Sequence, residues 1–224
     1  MGIRIAFVTE NVCDSLLVSS VLAKKDFEVC HLLTTFSNLA KVLETSVPDV
    51  LMIAIGENAQ REVGILEKLR SKNPKIGLII ISTTPDLRLL GITEQKLPLG
   101  VQIILRPAVT NLHILSRAIY DSVDEEVIGL APQWVVGNPY TDNSKFHSNL
   151  IDLTQVQIET LRLIAMGRSN AEIASVRSVT EKAVEHTITR LLVALAIKSD
   201  PRDNARVILT REYFRWVEAP RVSA

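Results

Sequence analysis

Five short aliphatic runs punctuate the first 105 residues: Ile3 to Val8, Phe27 to Leu33, Asp49 to Ile55, Ile76 to Ile81 and Val101 to Leu105. Their length and their content of Ile, Val and Leu predict strands. A stretch such as Gly77-Leu-Ile-Ile-Ile-Ser82 shows no polar alternation, which suits a strand buried on both faces of a parallel sheet. Such strands need crossover helices, and segments of helical character lie between the runs at Ser15 to Lys24, Ser37 to Glu44, Glu57 to Ser71 and Asp86 to Gly91, with Asn111 to Val123 after the last. The pattern predicts a doubly wound α/β domain over residues 1–123 with a five-stranded parallel sheet. Its handedness and flavodoxin-like strand order follow from general rules of parallel sheets rather than from these residues.

Composition sets the surroundings of that domain. A chain of 224 residues has room for two domains, and 47% hydrophobic with 22% charged residues excludes disorder along its whole length. Lys plus Arg (25) equals Asp plus Glu (25), so any nucleic-acid contact must come from a local patch. Cys13 and Cys30 have no companion pair and no neighbouring His in a ligand pattern, so neither a disulfide framework nor a metal site is expected, and a reducing compartment fits. The start of the chain lacks a secretory pattern, no apolar run approaches a membrane span, and Ala6 breaks the myristoylation pattern. The expectation is a cytoplasmic protein with no membrane partner.

Residues 124–150 change character. Gly129, Pro132, Gly137, Pro139 and the polar cluster at 141–145 predict a linker, with one short helix near its start and an apolar spot at Trp134 to Val136. From 151 to 224 the period is helical throughout. Thr154-Gln-Val-Gln157 and Ser169-Asn-Ala-Glu172 each fit a capping box, and Gly167 suits the left-handed residue closing the first helix. Thr180 caps a third helix with the stripe Val184, Ile188, Leu191 and Leu195, and a last helix spans Asn204 to Val217. Its stripe of Leu209, Tyr213, Trp216 and Val217 suits either core packing or self-association.

Two short helices joined by a tight connection make a helix-turn-helix candidate, although helix pairs without a DNA role are common. The pattern from Leu153 and Thr154 through Leu161, Ala165, Gly167, Ser169, Asn170, Glu172, Ile173 and Ala174 to Val179, Thr180 and Val184 closely resembles the LuxR-type domain of the NarL/FixJ response regulators. The resemblance implies a four-helix DNA-binding domain over 151–224, with a scaffold helix starting near Asn170 and a recognition helix near Thr180. On that helix Lys182, Glu185, His186, Thr189 and Arg190 lie off the apolar stripe. Lys182 and Arg190 suit phosphates, while His186 and Thr189 suit base edges. Glu185 stands where the family often carries Lys; a carboxylate repels phosphate and helps only by accepting from a cytosine amine.

Residues 151–224 hold 11 Lys and Arg against 9 Asp and Glu, a small positive excess, so affinity is expected to come from a homodimer on two half-sites. Arg162, Arg168, Arg177 and Arg206 read singly as a solvated face.

An α/β domain ahead of a LuxR-type domain resembles the receiver of a two-component response regulator. Phosphoryl transfer there requires an acceptor carboxylate, acidic residues for a divalent metal, a hydroxyl and a cation. In this chain the acidic pair after the first strand is Thr9 and Glu10, the acceptor position is Ala54, the hydroxyl is Ser82, and Arg106 replaces the usual Lys. Asp14, Asp49 and Glu57 read as ordinary surface carboxylates rather than substitutes. The expectation is a pseudo-receiver, with no catalytic residue, no metal and no cofactor. Its role stays open between a constitutive pairing module, a small-ligand sensor and a dock for a regulatory protein. Helix 111–123 and the stretch Leu87 to Leu99, with Leu89, Leu90, Ile92 and Leu97, suit either pairing or core. His31, His113 and His147 are scattered, and no Gly-rich phosphate loop or nucleophile elbow is present, so an enzyme is not expected. The chain therefore reads as a DNA-binding transcriptional regulator, the alternatives being a protein-interaction adaptor or a ligand-sensing regulator.

Overall fold

The aliphatic runs become strands because β-branched side chains suit a pleated surface, and because burial on two faces suits residues with no polar atoms to satisfy. The computed structural model describes residues 2–23, 25, 27–56, 58–135, 150, 152–197 and 204–217. Glu57, His147, the linker from 136 onward and the connection at 198–203 lie outside the described residues. Two compact units form, one from residues 1–83 and 93–138, the other from residues 84–92 and 139–224.

The first unit runs β1 (Ile3–Val8), α1 (Val12–Leu22), β2 (Phe27–Leu33), α2 (Leu39–Thr45), β3 (Val50–Ile55), α3 (Ala59–Lys72), β4 (Gly77–Ser82), β5 (Gln102–Leu105), α4 (Leu112–Val123), α5 (Glu125–Ile128) and β6 (Gln133–Trp134). All strand pairs are parallel, in the order β2-β1-β3-β4-β5-β6, so the first five follow the flavodoxin-like order. Ile5, Phe7, Val50, Met52, Ile79, Ile81 and Ile104 form one buried cluster with Val18 and Leu22 of α1 and Leu115 and Ile119 of α4. The alternating residues Ala6, Val8, Leu51, Ile53, Leu78, Ile80 and Ile103 are equally buried. That opposite face needs cover too, and α2 and α3 supply buried side chains, Leu39, Val63 and Leu66, that the first cluster does not use.

Two expectations are corrected. Among the described residues the sheet has six strands, not five: the Gln133 N–H donates to the Val101 carbonyl at 2.9 Å and the Val135 N–H to that of Ile103 at 3.0 Å. A two-residue strand straight after Pro132 has too little length to show a pattern, and the apolar spot around Trp134 is this strand. No α-helix joins β4 to β5. Two 3₁₀ turns, Leu87–Leu90 and Glu94–Lys96, stand there instead. Gly91, left-handed at φ 75°, ends the first, and Pro98 follows the second too closely for a helix to fit between. Of the residues in this stretch that suit either pairing or core, Leu89, Ile92 and Leu97 are buried, while Leu90 is half-buried.

The second unit contains α6 (Gln155–Ala165), α7 (Asn170–Arg177), α8 (Glu181–Ala194) and α9 (Ala205–Val217). Both capping boxes form, Thr154 with Gln157 and Ser169 with Glu172, and Gly167 takes φ 78° just beyond α6. In each box two otherwise orphaned backbone donors find side-chain acceptors. Ile158, Leu161, Ile164, Ile173, Val184, Leu191, Leu209, Tyr213 and Trp216 share one core, so the stripe of α9 is spent inside its own unit. No helix among the described residues is long and apolar enough to cross a membrane.

Candidate functional site

Two places bear on function, and the first is the row of carboxyl ends of the parallel strands. Thr9 follows β1, Ala54 lies near the end of β3, Ser82 ends β4 and Arg106 follows β5, so the sheet brings the four positions expected to make up a degenerate acceptor set to one edge. Thr9 is buried, and its hydroxyl oxygen accepts from the Asn11 N–H at 3.1 Å, turning the chain into α1. Ser82 is fully buried, whereas Glu10 is exposed. Ala54 offers only a methyl group.

Asp14 departs from the surface role expected of it. It is 7% exposed and accepts from Nε of Arg106 at 2.7 Å, with Nη2 at the same distance. The cation at the end of β5 is therefore neutralised by a carboxylate from the first turn of α1. Asp49 does sit at the far end of its strand, where it accepts from the Arg4 N–H at 2.8 Å.

Glu62 is an acidic residue that sequence reasoning missed here. It lies in the first turn of α3, almost wholly buried, and its carboxylate accepts from the Gly56 N–H just past β3 at 3.1 Å. Burial pushes its carboxyl above the usual range; the Gly56 N–H offsets this in part, and the charge of Glu10 adds to it. Its place in the first helical turn was the only hint in the sequence. Two carboxylates of this edge are thus committed to protein partners. Among the described residues no group of three or more His, Cys, Asp or Glu side chains is placed to hold a metal ion.

The second place is the outer side of α8. The Thr180 hydroxyl oxygen accepts from the Ala183 N–H at 3.2 Å and starts the helix, while Val184, Ile188 and Leu191 turn inward. Lys182, Glu185, His186, Thr189 and Arg190 are all exposed, as is Thr180, and the helix gathers them on one side. Among the described residues no ion pair involves Lys182, Glu185 or Arg190. The Thr189 hydroxyl donates to the Glu185 carbonyl at 3.1 Å, which leaves its oxygen to accept from outside.

The arginines around α7 are not all a solvated face. The Arg177 side chain is 11% exposed and donates to the Thr160 hydroxyl oxygen at 2.8 Å, tying the end of α7 to α6. Arg206 donates to the Asn170 side-chain oxygen at 2.7 Å and to the Arg168 carbonyl, so α9 holds the start of α7. Arg168 remains outside, paired with Glu172 at 3.0 Å. The Ser169 backbone N–H, with help from Arg168, holds the exposed Glu172 carboxyl below its usual range.

No family model and no curated protein sequence matches the chain. Solved structures do match its fold. One is RcsB from Salmonella enterica serovar Typhimurium bound to the promoter rprA in the presence of the phosphomimetic BeF3−, at 14% identity and TM-score 0.52, covering 95% of this chain and 98% of that one. Another is the two-component response regulator RcsB in complex with DNA, at 15% identity and TM-score 0.53, covering 97% and 100%. A third holds two RcsB dimers on two parallel DNAs, at 13% identity and TM-score 0.50, covering 98% and 100%. RcsB is a response regulator of the NarL/FixJ family, and the likeness is one of fold over nearly the whole length of both chains.

Proposed function

We propose that this chain is a DNA-binding transcriptional regulator that acts as a homodimer and dispenses with phosphoryl transfer. The observation carrying the reading is the outer face of α8. Five side chains able to meet phosphates and base edges stand exposed on α8, read as the second helix of a helix-turn-helix, and the two cations among them, Lys182 and Arg190, flank His186 one helical turn away on either side. The matched RcsB structures are DNA complexes, one of them with dimers, which supports the same assignment. At the other site the acceptor position is a methyl group and the neighbouring cation is already paired, which supports a receiver-like unit that works without covalent activation.

Enrichment of bound sequences from a random duplex pool at low salt tests the reading. The full chain is expected to enrich a two-part motif, Lys182→Ala and Arg190→Ala to weaken binding to it, and Glu185→Lys to strengthen binding while changing one preferred base. A pool left unenriched by the wild-type chain overturns it. One observation favours a second reading, a protein-interaction adaptor: Glu185 presents an exposed carboxylate in the middle of the face, with no ion pair among the described residues. An adaptor would enrich no DNA at any salt concentration.

A further inference from the structure

Residues 84–92 belong to the helical unit although β4 and β5 flank them in sequence. Two sets of interactions hold them there. Leu89 is fully buried in the core that contains Leu153, Leu161, Leu209 and Tyr213, and its carbonyl accepts from the Tyr213 hydroxyl at 2.9 Å. Arg88 donates to the Leu153 carbonyl at 2.8 Å and to the Leu150 carbonyl at 3.3 Å. The Asp86 carboxylate, itself 8% exposed, orients that guanidinium, with Nε at 3.0 Å and Nη2 at 2.7 Å.

The two carbonyls lie just ahead of α6, whose cap is Thr154, so one planar cation fixes the entry to the first helix of the unit. Without this segment the buried Tyr213 hydroxyl loses its acceptor, the carbonyls of Leu150 and Leu153 lose a charged donor, and a cavity opens where Leu89 was. The helices from 150 onward therefore do not contain, in their own stretch of sequence, all the groups that close their core.

We propose that residues 84–92 are a strap integral to the DNA-reading unit: α6 to α9 hold their reading arrangement only with the strap in place. The DNA part rests on the function proposed above; the strap's part in the fold does not.

The test is hydrogen exchange on the full chain, wild type against Leu89→Ala, Arg88→Lys and Tyr213→Phe, followed by titration of the same samples with duplex enriched by the wild type. Leu89→Ala is expected to lower protection of α6 and α9 by at least about thirtyfold, from a cavity of this kind. Arg88→Lys keeps the charge but loses the fork, and a loss of about tenfold is expected at the start of α6. Tyr213→Phe removes one hydroxyl and leaves packing intact, so it guards against outright unfolding; about fivefold is expected, confined to α9 and its neighbours. Amides of β1, β3 and β4 should keep their protection in all three. DNA affinity should fall in the same order as protection. Unchanged protection of α6 and α9 in Leu89→Ala and Tyr213→Phe overturns the strap, and so does lost protection with unaltered DNA affinity in all three variants. A wild-type chain that binds no duplex sinks the reading of α8 while leaving the exchange result to decide the strap by itself.

Discussion

Arg106 and Asp14 lie 92 residues apart in sequence, yet the guanidinium of one donates to the carboxylate of the other at 2.7 Å, at the carboxyl ends of the parallel strands. The pair is half-sheltered, with 38% of the arginine side chain and 9% of the aspartate exposed. Asp14→Asn should therefore cost about 1–3 kcal/mol, the range for leaving one partner of a charged hydrogen bond unmatched, read by urea unfolding of the full chain. Acetyl phosphate with Mg²⁺ should label neither the wild type nor Ala54→Asp, because Asp14 stays tied to Arg106 and position 9 is Thr. A stable acyl phosphate on the wild type would overturn the proposal that this unit works without phosphoryl transfer.

Glu62 predicts a pH dependence. Its carboxyl is raised above the ordinary 4.5 chiefly by burial, so between that pH and its higher folded value the native state holds more protons than the unfolded chain. Its contribution to stability is greatest below about pH 4.5 and declines as pH rises through the folded value. Glu62→Gln keeps an oxygen for the Gly56 N–H but cannot ionise. The variant should gain on the wild type as pH increases from 4.5 to 7, compared by unfolding midpoints at each pH. A constant difference across that range counts against the assignment.

Ser178 closes α7 in the left-handed region at φ 52°, a conformation that glycine adopts without a Cβ penalty. Ser178→Gly is expected to stabilise the helical unit by about 0.5–1 kcal/mol, seen as a higher unfolding midpoint.

Salt separates the two kinds of residue on α8. Lys182→Ala and Arg190→Ala should each reduce the slope of log affinity against log salt by about 1, with little change in which sequence is preferred. Glu185→Lys should steepen that slope and shift preference at one base pair, measured by titrating the enriched duplex and its single-base variants.

Arg177 offers a contrast from the same neighbourhood. Arg177→Ala removes the donor that reaches Thr160 and should destabilise the helical unit by about 1.5–3 kcal/mol in urea unfolding, without moving base preference.

What the sequence determined by itself is what neighbours along the chain decide. Aliphatic runs marked the first five strands, Thr154 with Gln157 and Ser169 with Glu172 announced two helix starts, and the spacing of Val184, Ile188 and Leu191 set which side of α8 faces out. Each of these is fixed by backbone geometry over a few residues, so periodicity and capping chemistry suffice to read it. Tertiary structure alone decided the partner of Asp14, the burial of Glu62, the anchoring of Arg177 and Arg206, and the passage of residues 84–92 into the helical core. In those cases a charge or a leucine looks the same in sequence whether it meets water or a group dozens of residues away. Its fate depends on which segments the packing of strands and helices brings together, and local pattern carries no record of that.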